Sequence, residues 1–244
     1  MSLPASSARA SRTHPILLLA FGFALAACGR TASVPAPVTQ SGHPSAPRAA
    51  ARLADNVLEQ QVLSEINRAR TDPQRYAAYL ESTLRYYDND KLFRRPEDAS
   101  ALRTREGVPA VREAIKVLRG LRPMPPLELS DGMTRGARDH VRDAGTRGSL
   151  QHEGSDGSMA WDRVNRYGKW SGRISENMSF GPESGRDVVS ALIVDDGVPS
   201  RGHRKNLFDP EVREVGVACG LHKTYRRMCD VVHASKYAER DGDK

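Results

Sequence analysis

Two apolar segments near the C-terminus each carry one cysteine, and together they limit how this part of the chain can fold. The segments read EVGVACG and RRMCDVVHA, and Cys219 and Cys229 lie on either side of a polar turn. Both segments are rich in valine, which favours strands, so a hairpin is predicted. In an oxidising compartment the two cysteines would clasp this hairpin as a disulfide. The alternatives are two buried thiols or a redox pair, and the absence of CxxC spacing disfavours a redox pair.

The segments before the hairpin follow helical periodicity. Apolar residues recur every three or four positions, and turn or capping residues separate the runs. Helices are predicted at about 57–69, 73–82, 108–121, 131–144 and 187–194. The inward face of the third helix is expected to carry Val111, Ile115, Val117 and Leu118. Helices first and neighbouring strands last predict an α+β fold rather than a βαβ array. Segment 82–122 is otherwise irregular, and its role is open.

The N-terminus has the pattern of an export signal. Arg9 and Arg12 precede the apolar run PILLLAFGFALAA, which is too short to span a bilayer. The run ends in LAAC, which resembles a bacterial lipobox and implies acylation of Cys28. The alternative is an ordinary secretory signal with an incidental cysteine. We therefore expect a signal peptide at 1–27, a lipidated Cys28 with a Pro/Ala/Ser-rich tether at 28–52, a folded domain at 53–238 and a tail at 239–244.

The net charge of +7 does not indicate a nucleic-acid-binding surface. Five of these charges come from arginines before residue 53, so the folded region is nearly neutral. The G-x-S-x-G elbow, the P-loop and the HExxH motif are also absent, which argues against several common hydrolases and nucleotide-binding enzymes.

Four residues remain as candidates for a functional site. They are His152 in LQHEG, Glu176 in SENMSFG, Asp195 in LIVDDG and His203 in RGHRKNLF. Two imidazoles and two carboxylates can bind a divalent cation such as zinc, or they can transfer protons near neutral pH. No serine pattern singles out a nucleophile. The cations around His203 are expected to be solvated or paired with acids such as Asp209.

These segments resemble a known family. EINRARTDPQRYAAYLE, HEG, SENMSFG, DDGVPSRGHRKNLFDP and VGVAC, in that order, are similar to bacterial members of the CAP superfamily of cysteine-rich secretory, antigen 5 and pathogenesis-related proteins. The resemblance covers about residues 55–238. It implies a three-layer α-β-α sandwich in one domain, with His152, Glu176, Asp195 and His203 in a central cleft. Asp195 departs from the pattern because that position is usually Glu, and Asp196 is the alternative.

The resemblance also implies a class of function. Some relatives are associated with sterol or lipid binding, others with protein contacts, and proteolysis has been proposed for some. We expect a lipid-anchored binding or interaction module of the cell envelope, at the outer membrane if the cell has one. Its cleft would use His152 and His203 to bind a metal, with zinc as the candidate, and its ligand would be a lipid, glycan or envelope protein. The alternatives are a metal-dependent hydrolase, which we favour less, and a structural protein with a vestigial cleft.

Overall fold

The computed structural model describes residues 46–240, and the elements in this range are predominantly helical in the first half. The helices are α1 Ala46–Thr71, α2 Pro73–Thr83, α3 Val108–Gly120, α4 Asp131–Arg147, α5 Ala160–Val164, α6 Gly185–Val194 and α7 Gly202–Leu207. Segment 82–122 contains α3 and, before it, a small antiparallel sheet. That sheet consists of β1 Tyr87–Asp88, β2 Leu92–Phe93 and β3 Leu102–Arg103.

A four-stranded sheet forms the centre of the domain. Its strands are β4 Glu128–Leu129, β5 Gly168–Phe180, β6 Glu214–His222 and β7 Arg226–Glu239. Their order is β4-β6-β7-β5, with β4 parallel to β6 and the other pairs antiparallel. The long strand β5 therefore lies at one edge, paired with β7 on a single side.

Alternating residues of β6 and β7 supply two separate hydrophobic cores, one on each face of the sheet. Val217 and Val231 face α1, α2, α3, α6 and α7. Ala218 and Val232 face α4 and α5. Successive residues of a strand point to opposite faces, so two strands that are apolar throughout must be covered on both sides. The α+β prediction and the three-layer α-β-α sandwich are confirmed.

Capping side chains begin the helices close to the predicted positions. The Ser130 hydroxyl accepts a hydrogen bond from the Met133 N–H at 3.1 Å and begins α4. The Asp72 carboxylate accepts from the Arg75 N–H at 3.0 Å and begins α2, with Pro73 at the first helical position. These bonds satisfy backbone donors that have no partner inside the helix.

The first helix begins earlier than the sequence predicts. It starts at Ala46, inside the segment expected to be a tether, and ends at Thr71, immediately before Asp72. The rest of the predicted tether, the predicted signal peptide and Cys28 lie outside the described residues. Over residues 46–240, no helix combines the length and apolar character needed to cross a membrane.

The predicted C-terminal hairpin and its disulfide are confirmed. Strands β6 and β7 pair in register from Glu214 to His222, and Cys219 lies directly opposite Cys229. Their Cα atoms are 4.1 Å apart and their sulfur atoms are bonded. Both cysteines are buried on the face that packs against α1, so the cross-link holds the centre of the sheet rather than its surface.

Candidate functional site

His203 is held by a buried aspartate at the end of the preceding helix. Asp195 follows α6 with left-handed backbone (φ 57°) and is 3% exposed. Its Oδ1 accepts a hydrogen bond from His203 Nδ1 at 2.6 Å, and its Oδ2 accepts from the His203 backbone N–H at 3.0 Å. The neighbouring Asp196 instead accepts backbone N–H groups just before α3, including that of Gly107 at 2.9 Å. Asp195, rather than Asp196, is therefore the partner of His203.

His152 has a matching carboxylate partner on the edge strand. It lies in the loop between α4 and α5, and its Nδ1 donates to Glu176 Oε2 at 2.6 Å. The second oxygen of Glu176 accepts from the buried guanidinium of Arg163 at 2.5 Å. Burial raises the pKa of Glu176, but the His152 hydrogen bond and the Arg163 charge outweigh burial, so the pKa lies below its ordinary value. Glu176 is thus held as a carboxylate.

A single buried asparagine connects the two pairs. Asn177 follows Glu176 on β5, and its amide Nδ2 donates to the His203 carbonyl oxygen at 3.0 Å. Its Oδ1 accepts from Asn206 Nδ2 at 2.8 Å. Because consecutive strand residues point to opposite faces, Glu176 and Asn177 direct one pair to each side of the sheet edge. The structure therefore places the four predicted residues in two histidine–carboxylate pairs, one on each side of β5.

Both histidines keep one ring nitrogen available. Each Nδ1 is engaged by a carboxylate, and in the described part of the chain neither Nε2 has a hydrogen-bond partner. The side chains of His152 and His203 are 46% and 26% exposed. A carboxylate on one nitrogen fixes the tautomer and leaves the other with the lone pair that binds metals. Imidazole donors backed by carboxylates fit a cation of borderline softness such as zinc.

The hydroxyl of Ser155 is engaged away from these histidines. Ser155 lies three residues after His152, and its hydroxyl donates to Asp143 Oδ1 at 2.7 Å. Its backbone N–H is bonded to the same carboxylate. The hydroxyl is therefore committed to closing the loop after α4. The arrangement can bind a cation or transfer a proton, and covalent catalysis by Ser155 has no geometric support.

The cations around His203 are structural. Arg201 donates to Glu106 at 2.6 Å and to Glu113 at 2.8 Å, and the largely buried Arg204 donates to Glu113 at 2.6 Å. The hydrogen bonds from Arg201 lower the pKa of Glu106 to about 2. Asp209, the partner expected for these cations, pairs instead with Arg173. These contacts hold α7 against α3 and its preceding loop and leave Lys205 exposed.

Two buried polar residues beside Glu176 were not predicted as site residues. His140 and Asp230 are both fully buried. Asp230 lies among apolar residues in CDVVHA. A single acidic residue in an apolar strand is the one sequence feature that could have identified it as a site residue. Burial and then the charge of Glu176 raise the pKa of Asp230 well above its ordinary value. The predicted pairs thus lie next to a buried polar cluster that no local motif marks.

Comparisons with known proteins agree with the sequence resemblance. The model of the family described as "CAP: Cysteine-rich secretory protein family" matches residues 112–233, half of the chain. No curated protein matches the chain.

Three similar solved structures come from bacteria. An outer surface protein of Borrelia burgdorferi is 18% identical, with a TM-score of 0.40, over 53% of this chain and 95% of that chain. An extracellular protein with an SCP domain from Bacillus anthracis is 19% identical, with a TM-score of 0.39, over 52% of this chain and 38% of that chain. A cysteine-rich secretory protein from Staphylococcus aureus is 13% identical, with a TM-score of 0.35, over 58% of this chain and 45% of that chain.

Proposed function

Because the chain belongs to the cysteine-rich secretory protein (CAP) family, we propose that it is a ligand-binding module of the cell envelope whose two exposed histidines bind a divalent cation. The observation that carries this proposal is the shared geometry of the two pairs. In each pair a buried carboxylate engages Nδ1 at 2.6 Å and leaves Nε2 without a protein partner. The same carboxylate–imidazole arrangement occurs in two separate loops. This repetition fits metal binding better than it fits two histidines in ordinary surface turns.

The cell-envelope location rests on the sequence of the N-terminus. Arg9, Arg12 and the apolar run before Cys28 have the order of a lipoprotein signal, and the following segment has the composition of a tether. A disulfide within the domain is consistent with an oxidising compartment. We propose that Cys28 anchors the protein and that the domain presents its cleft to a lipid, glycan or protein of the envelope.

A calorimetric titration of the full chain with zinc, carried out in detergent, tests the cation site. We expect zinc to bind to the wild type at micromolar or lower concentration, and His152→Ala/His203→Ala to lose the corresponding equivalent. If the two histidines share one cation, each single variant should lose it as well. Lys205→Ala is the matched control, because Lys205 is exposed on α7 two residues from His203. Equal zinc stoichiometry in wild type and double variant would contradict the proposal.

A further inference from the structure

A cluster of three potential metal ligands lies under the exposed histidines. His140 from α4, Glu176 from β5 and Asp230 from β7 each place one ligand atom within 4.8 Å of the other two. His140 and Asp230 are fully buried. Within residues 46–240 this is the one such set of three, and it includes neither His152 nor His203.

The hydrogen bonding of His140 fixes which ring nitrogen is free to act as an acceptor. Its Nε2 lies 3.1 Å from the Gln151 carbonyl oxygen. A carbonyl oxygen can only accept, so Nε2 carries the hydrogen and Nδ1 carries the lone pair. In the described structure Nδ1 is buried and has no hydrogen-bond partner. Burial lowers the pKa of His140. A backbone carbonyl behind a neutral imidazole is the usual arrangement behind a metal-binding histidine.

Asp230 presents the second set of unused acceptors. Both of its carboxylate oxygens are buried, and neither makes a hydrogen bond within the described residues. Buried polar atoms are nearly always partnered, because leaving one unpaired costs about 1–3 kcal/mol.

Arg163 does not supply the missing hydrogen-bond donor for His140 and Asp230. Arg163 Nη2 donates to Glu176, and Nη1 donates to the backbone oxygens of His152 and Ser158 at 3.1 and 2.6 Å. Its remaining Nε–H is buried and has no acceptor in the described structure. The guanidinium is thus committed to Glu176 and to the loop before α5, and the lone pairs of His140 and Asp230 remain unused.

From these contacts we propose that His140, Glu176 and Asp230 form a buried binding site for a divalent transition-metal cation. One imidazole nitrogen and two carboxylates suit zinc, manganese or iron(II) rather than a soft metal such as copper(I). The site would join α4, β5 and β7 from inside, directly behind the Glu176–His152 hydrogen bond. It goes beyond the proposed function, because its ligands are distinct from the exposed histidines.

The experiment compares zinc and manganese binding in two variants of the full chain, stripped of metal by a chelator. Asp230→Asn keeps the shape of the side chain but removes the carboxylate. His152→Ala/His203→Ala removes the exposed nitrogens and leaves the buried cluster intact. We expect the double variant to retain one metal equivalent with unchanged affinity and a metal-dependent rise in Tm. We expect Asp230→Asn to lose that equivalent, with an affinity at least about 100-fold weaker, and to keep the other.

The outcomes separate the buried site from the exposed one. If the double variant binds no metal while Asp230→Asn binds like the wild type, the buried site is refuted and the exposed site stands. The reverse result supports the buried site and refutes the exposed one, and absence of metal from the wild type refutes both. Asp230→Asn should fold, since it removes an uncompensated buried acid. Should it fail to fold, His140→Gln replaces it, because its amide can keep the bond to Gln151 and lacks the Nδ1 lone pair.

Discussion

Asn177 links β5 to the backbone of His203 and is not itself a candidate metal ligand. It is fully buried, and its amide engages the His203 carbonyl and the Asn206 side chain at once. The position of His203 relative to β5 therefore depends on the hydrogen bonds of one side chain. Asn177 therefore positions His203 through hydrogen bonds to the backbone of His203 and to Asn206. Its loss should make the structure around His203 less stable.

Replacing this side chain tests that role. Asn177→Ala should lower the free energy of unfolding by about 2 kcal/mol, because it leaves a buried carbonyl and an amide without partners. Asn206→Ala is the control and should cost less, since it removes one of the two bonds. Urea unfolding followed by circular dichroism measures both. Equal costs for the two variants would show that the bond to His203 does not matter.

The sequence predicts the site residues that stand in short motifs better than those that do not. His152, Glu176 and His203 stand in short motifs, so their resemblance to a family can be recognised residue by residue. The choice of Asp195 over Asp196 needed the backbone, because a left-handed residue at the helix end turns one carboxylate to His203 and the next to another loop. Asp230 could not be placed, since its neighbours depend on the register between β5 and β7.

Helices and strands differ in how well the sequence predicts them. In α3, Val111, Ile115 and Leu118 are buried as expected, but Val117 is 38% exposed because it lies off the stripe that those residues form. Strand β5 is not among the predicted elements. It carries Ser171 and Gly172 at a register shift against β7, and it is an edge strand. A bulge breaks the two-residue period that makes strands recognisable.

The disulfide makes a testable contribution to the hairpin of β6 and β7. Cys219→Ser/Cys229→Ser should lower the free energy of unfolding by about 3 kcal/mol, the chain-entropy value for a loop of this length. Guanidinium unfolding of the variant and of the oxidised wild type measures the difference. Wild type with reductant is the control and should behave like the variant. A variant as stable as the oxidised protein would show that the disulfide does not stabilise the fold by lowering the conformational entropy of the unfolded chain.

At the scale of the whole molecule, buried histidines make the fold sensitive to acid. Burial and then the charge of Arg70 lower the pKa of His233 to about 3. In the unfolded chain the pKa of histidine is about 6.5. Between these values the unfolded chain binds a proton that the folded protein does not, so stability falls as the pH falls.

Replacing His233 should make the free energy of unfolding depend less steeply on pH in the acid range. The stability of His233→Gln relative to wild type should rise by about 1.4 kcal/mol for each pH unit below about 6.5, until the pH approaches 3. Urea unfolding at a series of pH values gives the two curves. His222→Gln is the matched control for the packing and hydrogen-bonding cost of replacing a buried histidine with glutamine. Parallel curves for His233→Gln and wild type would contradict the prediction.

The central position of β6 and β7 has a consequence for the order in which the chain can assemble. These strands lie in the last third of the chain, yet their alternating residues complete the cores on both faces of the sheet. The helices made first pack partly on one another, but their apolar faces toward the sheet stay uncovered until the last strand has been synthesised. A chain built from its N-terminus would therefore stay incompletely packed until its end emerges, an order compatible with the export that we propose.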